Sequence, residues 1–379
     1  GSKLVRMAGI YVHIPFCRQR CIDCDFYATV MHASIDKYID ALIAEAKMRP
    51  IDKVKTLYLG GGTPSQLSPA QMARLVDGLH SAYDLSALEE FTVEVNPDDV
   101  SPGYITALRH MGVNRISMGV QSFVDSELRL INRRHDAQGA RRAIAAIVEA
   151  GIKNISIDLI FGIPGQTLES WTDSVNEAIS FGIQHISAYN LSYEPGTRLW
   201  MMRERGEVAE VDDSTCVAMY DTLIQRLKDA GYVHYEISNY CLPGWHSRHN
   251  SAYWDGTPYV GLGAAAHSYD GATRYYNPAS LNEYIDAINA DNLPLVAEEA
   301  EWWERYDEAV MVALRTSRGL NVDAIRSRFG DKVTQYLLSN SAIHITTGAL
   351  VQEGSFLRIP ERHFMTSDAI IRHLLYTPN

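Results

Sequence analysis

Three cysteines, Cys17, Cys21 and Cys24, fall within a single stretch of eight residues. Spaced as C-x3-C-x2-C on one loop, their thiolates can hold three corners of a [4Fe–4S] cube and leave the fourth iron without a protein ligand. An iron left open in this way can chelate the amino and carboxylate groups of S-adenosylmethionine (SAM), and an electron passed into the sulfonium breaks a C–S bond. The cofactors carry that chemistry, while the protein supplies geometry and a dry pocket. Zinc is the competing reading, with His13 as a fourth ligand. Zinc favours paired C-x2-C knuckles brought from two places, whereas Cys216 and Cys241 stand alone. Those two read as ordinary buried thiols.

Other residues whose types could do chemistry recur at regular intervals after the cysteines. Gly60, Gly61 and Gly62, followed by Thr63 and Pro64, let backbone N–H and C=O groups approach a ligand without interference from Cβ; taken alone, such a triplet is equally a tight turn before a helix. Glu94 and Asp158 are carboxylates inside apolar runs, a costly placement unless a ligand or partner repays it. Carboxylates there suit ribose hydroxyls or an ammonium group, and Arg133 suits a carboxylate in bidentate fashion, although an isolated arginine in a helical pattern reads equally as a solvated charge.

The elements that position these residues are legible as an alternation. Short β-rich runs at Ile10–Ile14, Thr56–Leu59, Phe91–Val95, Arg115–Gly119, Asn154–Ile160 and His185–Tyr189 are separated by stretches of helical period, the first with an N-cap expected at Ser34. Six βα units in series imply an α/β fold with a parallel sheet, most simply a partial (β/α)6 TIM-like barrel, whose chemistry sits at the carboxyl ends of its strands. The cysteines follow the first strand, the glycines the second, Glu94 and Asn96 end the third, Gln121 follows the fourth and Asp158 lies on the fifth, so all are expected on one rim. After a further strand in Tyr232–Ser238, residues 239–300 are irregular and rich in Gly, Pro, Tyr and Trp, and are expected to connect and pack on the barrel. Residues 301–379 read as a second, α+β domain: a helix carrying Tyr306, Val310 and Leu314, helical segments at Val322–Phe329 and Val333–Leu338, then a hairpin turning at Glu353–Gly354. Helices followed by a two-stranded wing look winged-helix-like. Residues 7–238 would form the barrel, and residues 1–6 read as a vector-derived remnant ahead of a native Met7.

Composition narrows the function classes. The 379 residues carry 34 Lys and Arg against 46 Asp and Glu, a formal charge of −12, which argues against a nucleic-acid partner and deprives the wing of a basic recognition helix. No apolar run is long enough to span a bilayer, which leaves only peripheral contact with a membrane. Five cysteines, unevenly placed, do not make a disulfide framework and point to a reducing, cytoplasmic setting.

Taken in order, Tyr11-Val-His-Ile-Pro-Phe-Cys17 with Cys21 and Cys24, Gly60-Gly-Gly-Thr-Pro64, Glu94-Val-Asn-Pro97, Gly119-Val-Gln-Ser-Phe123 and Ile157-Asp-Leu-Ile-Phe-Gly-Ile-Pro164 resemble the oxygen-independent coproporphyrinogen III oxidase superfamily of radical SAM proteins. The resemblance runs from residue 9 through the C-terminal domain, where Leu314 to Leu320 match. It implies SAM contacts at Tyr11, Gly61, Gly62, Thr63, Glu94, Gln121, Arg133 and Asp158, and a low-potential electron donor as partner. The oxidases carry a further cysteine two positions after the third ligand, where this chain has Phe26, and a longer segment ahead of the cluster. Both departures, and His249-Asn250-Ser-Ala-Tyr253-Trp254, resemble instead the sister group of haem chaperones, which deliver haem to respiratory haem proteins. That resemblance implies haem contacts at His249, Asn250, Tyr253 and Trp254, with an imidazole for iron and flat rings for the porphyrin; the residues by themselves equally allow His249 to close the barrel by packing. His267 reads as a buried structural histidine. Asp23 stands inside the cluster loop where the resemblance implies an aromatic residue. Radical decarboxylation of coproporphyrinogen propionates is the alternative activity, and a chaperone need not turn over SAM at all.

Anaerobically prepared protein should contain iron and sulfide and absorb at roughly 400 nm, where iron–sulfur thiolate transitions fall. Metal analysis returning zinc alone would remove the cluster reading.

Overall fold

The computed structural model describes residues 5–16 and 25–378, with backbone alone at 5–7 and 25–33. The strand–helix alternation is present: β1 (Val5–Ile14), β2 (Ile51–Gly61), β3 (Glu90–Val95), β4 (Arg115–Gln121), β5 (Asn154–Phe161) and β6 (His185–Asn190) each precede helix in the chain. Two short strands follow, β7 (Val233–Glu236) and β8 (Asn239–Cys241), then β9 (Tyr259–Leu262), β10 (His267–Tyr269), β11 (Arg274–Tyr276) and β12 (Val296–Ala297). The chain forms two compact units, one of Gly1–Leu159, Ser180–Gln184 and Ser247–Glu298, the other of Ile160–Ile179, His185–His246 and Glu299–Asn379.

In the first unit β1 to β5 lie side by side in sequence order, all parallel. Their apolar residues occupy alternate positions. Ile10, Val12 and Ile14, Leu57 and Leu59, Phe91, Val93 and Val95, Ile116, Met118 and Val120, and Ile155, Ile157 and Leu159 are all buried. Because side chains alternate across a strand, the opposite face is left to the residues between them, and that face is polar. Its rows follow from the register: Tyr11, Tyr58, Thr92, Arg115 and Asn154 are cross-strand neighbours, as are Ser117 and Ser156 beside Glu94.

Residues 239–300, expected to be a connecting region, instead supply strands. β9 runs parallel to β1 on the side away from β2, and β10, β11 and β12 add antiparallel neighbours beyond it. Glu45, fully buried on the Asp25–Met48 helix, fastens this extension. It accepts from the Gly263 amide at 2.8 Å, Tyr284 Oη at 2.7 Å, Asn277 Nδ2 at 3.0 Å and Arg49 Nη1 at 3.3 Å. Gly263 is required where it stands: its φ is +106°, and a Cβ would lie 2.1 Å from Tyr38 Oη. The helix already includes Asp25, so Ser34 is an interior residue and not the N-cap expected of it; nothing in Asp25–Ala33 breaks a helix.

In the second unit β6, β8 and β7 form an antiparallel array, and Trp171, buried, donates to the Met219 carbonyl at 2.9 Å. Its C-terminal part has the helix-and-wing arrangement. Helix Trp302–Leu314 is followed by a helical stretch Val322–Thr347, bent where Gly330 takes φ +86°. The expected hairpin is β14 (Val351–Glu353) with β15 (Phe356–Arg358), and β13 (Leu320–Asn321) pairs with β15 as a third strand. Cys216 and Cys241 are both buried thiols outside any disulfide.

Glu45→Ala should cost about 3–5 kcal/mol, because it leaves the buried Gly263 amide and Tyr284 hydroxyl without their acceptor and removes the ion-pair partner of Arg49. Urea unfolding of the two proteins measures the difference.

Candidate cofactor site on the polar face of the sheet

The parallel strands bring their carboxyl ends to one edge, and the glycine turn, Glu94, Asn96 and Gln121 collect there. The Gly60–Thr63 turn is tied to the end of β1, immediately before the cysteine segment: the Gly62 amide donates to the Ile14 carbonyl and the Thr63 amide to the Phe16 carbonyl, each at 2.8 Å. At Gly60 a Cβ would come within 2.8 Å of Glu94 Oε1, and at Gly61, with φ +114°, within 2.6 Å of His13 Nδ1. Glycine is therefore required by close approach at both positions. Asn96 Nδ2 donates to Thr63 Oγ1 at 3.3 Å and joins the β3 end to the same turn. Gln121 closes β4 with φ +70°, a left-handed conformation uncommon in a non-glycine residue. Cys17, Cys21 and Cys24 lie outside the described residues.

Glu94 and Asp158 keep some exposed surface on strands that are otherwise largely buried. Loss of water raises the Glu94 carboxyl, and hydrogen bonds from Tyr58 Oη at 2.6 Å and from the Gly61 amide, with the Arg115 charge, pull it back. Asp158 is pushed up to about 7, first by loss of water, then by repulsion from Glu94, with Arg115 and Arg133 opposing. Burial lowers Arg133, and Asp158 counteracts this. Tyr11 donates to or accepts from His13 Nδ1 at 2.9 Å, and its ring stacks on Tyr58 at 6.0 Å.

The His249 group sits elsewhere on the same face. Helix Arg248–Trp254 presents its first turn to the start of β3: Glu90 accepts from the Arg248 amide at 2.9 Å and the His249 amide at 3.0 Å. His249 is 1% exposed, and both ring nitrogens are engaged, Nδ1 with Thr56 Oγ1 at 2.8 Å and Nε2 with Tyr253 Oη at 2.6 Å. Gly9 makes room for it, since a Cβ there would lie 3.0 Å from Nδ1. Burial, assisted by the Arg115 charge, pushes His249 down to about 3, so the ring is neutral. The packing reading thus describes His249 in this conformation: it plugs the amino-end row of Gly9, Thr56 and Glu90, away from the carboxyl-end rim. Asn250, Tyr253 and Trp254 are each half-buried on the same short helix. His267, expected to be buried, is exposed on β10, where it borders the Tyr276 ring at 6.2 Å.

Tyr58 and Arg115 were not singled out from the sequence. Tyr58 links the two groups, bonding Glu94 and stacking on the His249 ring with centroids 5.1 Å apart. Arg115 opens an apolar strand as Glu94 and Asp158 interrupt theirs, and the same signal would have found it.

The sequence pattern of the Radical SAM superfamily matches residues 11–178. The heme chaperone HemW of Lactococcus lactis is 36% identical over 354 residues, covering 89% of this chain and 92% of the relative. The chain belongs to the HemW family. The Bacillus subtilis and Escherichia coli HemW proteins are 36% and 37% identical, over 86% and 68% of this chain and 87% and 69% of their own lengths. Among solved structures, Escherichia coli coproporphyrinogen III oxidase (HemN), a radical SAM enzyme, superposes with a TM-score of 0.79 at 22% identity, covering 98% of this chain and 90% of that one, and so shares the fold. Radical SAM membership implies a [4Fe–4S] cluster and SAM. The rim fits the latter: a turn whose Gly60 and Gly61 leave no space for side chains, two carboxylates for hydroxyl or ammonium groups, and a guanidinium for a carboxylate.

A carboxyl whose folded pKa lies above its unfolded value destabilises the fold progressively as pH rises towards that folded value. Asp158→Asn should therefore gain stability above pH 7, by up to roughly 4 kcal/mol less what solvent contact screens, and gain little near pH 4. Thermal unfolding across that range measures it.

Proposed function

We propose that the chain is a cytoplasmic haem chaperone that binds a [4Fe–4S] cluster, SAM and haem, and passes haem to respiratory haem proteins. The observation that carries this reading is likeness across most of the chain to relatives named heme chaperones. Phe26, where the oxidases have a further cysteine, and the His249–Trp254 motif agree with it.

In this reading Cys17, Cys21 and Cys24 hold the cluster. Tyr11, Gly61, Gly62, Thr63, Gln121 and the charged residues Glu94, Arg133 and Asp158 hold SAM. A cluster with one open iron supplies a bound sulfonium with an electron. The chain's own contribution is orientation: the glycine turn offers backbone groups, Arg133 a carboxylate clamp, and Glu94 and Asp158 acceptors for hydroxyls. No helix among the described residues is long and apolar enough to cross a membrane. His249 offers the neutral imidazole that ligates haem iron, and Tyr253 and Trp254 offer flat surface to the porphyrin. Coordination through Nε2 requires the Tyr253 hydroxyl to release it, so docking is coupled to a local rearrangement of the Arg248–Trp254 helix.

Haem titration of anaerobically reconstituted protein tests this. His249→Ala, checked for folding by circular dichroism, should weaken haem binding at least tenfold, and undiminished binding would remove His249 from the site. Tyr253→Phe keeps the ring and frees Nε2, and should tighten binding roughly threefold to tenfold, the worth of one hydrogen bond.

A further inference from the structure

Buried polar atoms nearly always find a hydrogen-bond partner, so those that do not call for a cause. One such group crosses the middle of the polar face. Arg115, 2% exposed, leaves Nε and Nη1 without an acceptor; Thr92 Oγ1 and Asn154 Oδ1 are likewise buried and unpartnered. These atoms belong to neighbours in one row, Thr92 on β3, Arg115 on β4 and Asn154 on β5. Donors and an acceptor occur together, which is what one or two buried waters require. Carboxylates lie towards the rim from this row, Glu94 on β3 and Asp158 on β5, and Tyr58 and His249 face the same space from β2 and its amino-end plug. Arg115 acts electrostatically on all four, and Arg133 is the second cation near Asp158.

We propose that Arg115 is a positioning residue, the fixed counter-charge of the Glu94–Asp158 pair, coupled to it through water held by Thr92 and Asn154. Two guanidinium groups then balance two carboxylates inside the first unit. The Arg115 charge favours ionised acceptors at the rim and disfavours a proton on His249, so one side chain serves both groups of residues. The proposal deepens the SAM-binding reading of Glu94 and Asp158 and rests on it for its consequence, but its test needs no SAM.

The infrared carbonyl band of protonated carboxyl groups, assigned by its loss in Asp158→Asn, reports the midpoint at which Asp158 ionises in the full-length protein. In Arg115→Met that midpoint should rise by about one pH unit or more, while Arg115→Lys should return it most of the way. Thr92→Val removes one water partner and keeps the charge, and should move the midpoint in the same direction by less. An unchanged midpoint in folded Arg115→Met overturns the proposal; if that variant does not fold, an unchanged midpoint in Thr92→Val does so. Failure of SAM to bind a protein whose midpoints move as stated would count against the SAM reading alone.

Discussion

The cost of keeping ionisable groups out of water is the constraint on which the first unit depends. Glu94, Asp158, Arg115 and Arg133 share the environment of one sheet face, and none of them is cheap to place there. Their mutual attraction, the hydrogen bond from Tyr58 and the backbone donor of Gly61 offset that cost. Asp158 shows that the compensation is partial, since it sits at about 7 rather than in the ordinary carboxylate range. A site that binds a charged ligand gains from such incompleteness, because the ligand supplies what the fold leaves unbalanced.

The sheet is arranged to make this tolerable. Parallel strands covered on both sides are usually apolar on both, but here one face of β1 to β5 takes nearly all the apolar residues. The other is given to Tyr, Thr, Ser, charged groups and glycine. At its carboxyl end glycines admit backbone; at its amino end Gly9 admits the His249 ring. The helix Arg248–Trp254 is held by Glu90 through two amides, so the plug is tied to the sheet by main chain as well as by its imidazole.

In the proposed haem-binding reading, the His249–Trp254 motif would have two competing roles. As packed, both imidazole nitrogens serve the fold; as a haem ligand, one must be given up. The exchange costs more than the roughly 1 kcal/mol net of one neutral hydrogen bond, because His249 is buried and its helix is anchored to Glu90. Tyr58, which touches both the Glu94 carboxylate and the His249 ring, makes the two ends of the face neighbours across one side chain.

The cysteine spacing, the order of the motifs and the alternation of strand and helix are local properties, set by covalent spacing and by the two periodicities of secondary structure, and they were legible residue by residue. Short β-rich runs between helical stretches announced β1 to β6, and charged residues inside apolar runs announced Glu94 and Asp158. Long-range pairing was not legible. That β9 lies beside β1, making residues 239–300 part of the sheet, depends on Glu45 meeting Gly263, Asn277 and Tyr284 across more than two hundred residues. The start of the first helix ahead of Ser34 escaped for the opposite reason, since a good capping residue is tolerated inside a helix when its neighbours propagate it. Whether His249 faced solvent or the interior, and that Arg115 shares a row with Thr92 and Asn154, followed only from the register of strands distant in sequence. The chain encodes which side chains are available; which of them face one another in a medium with little water is decided when distant strands pair.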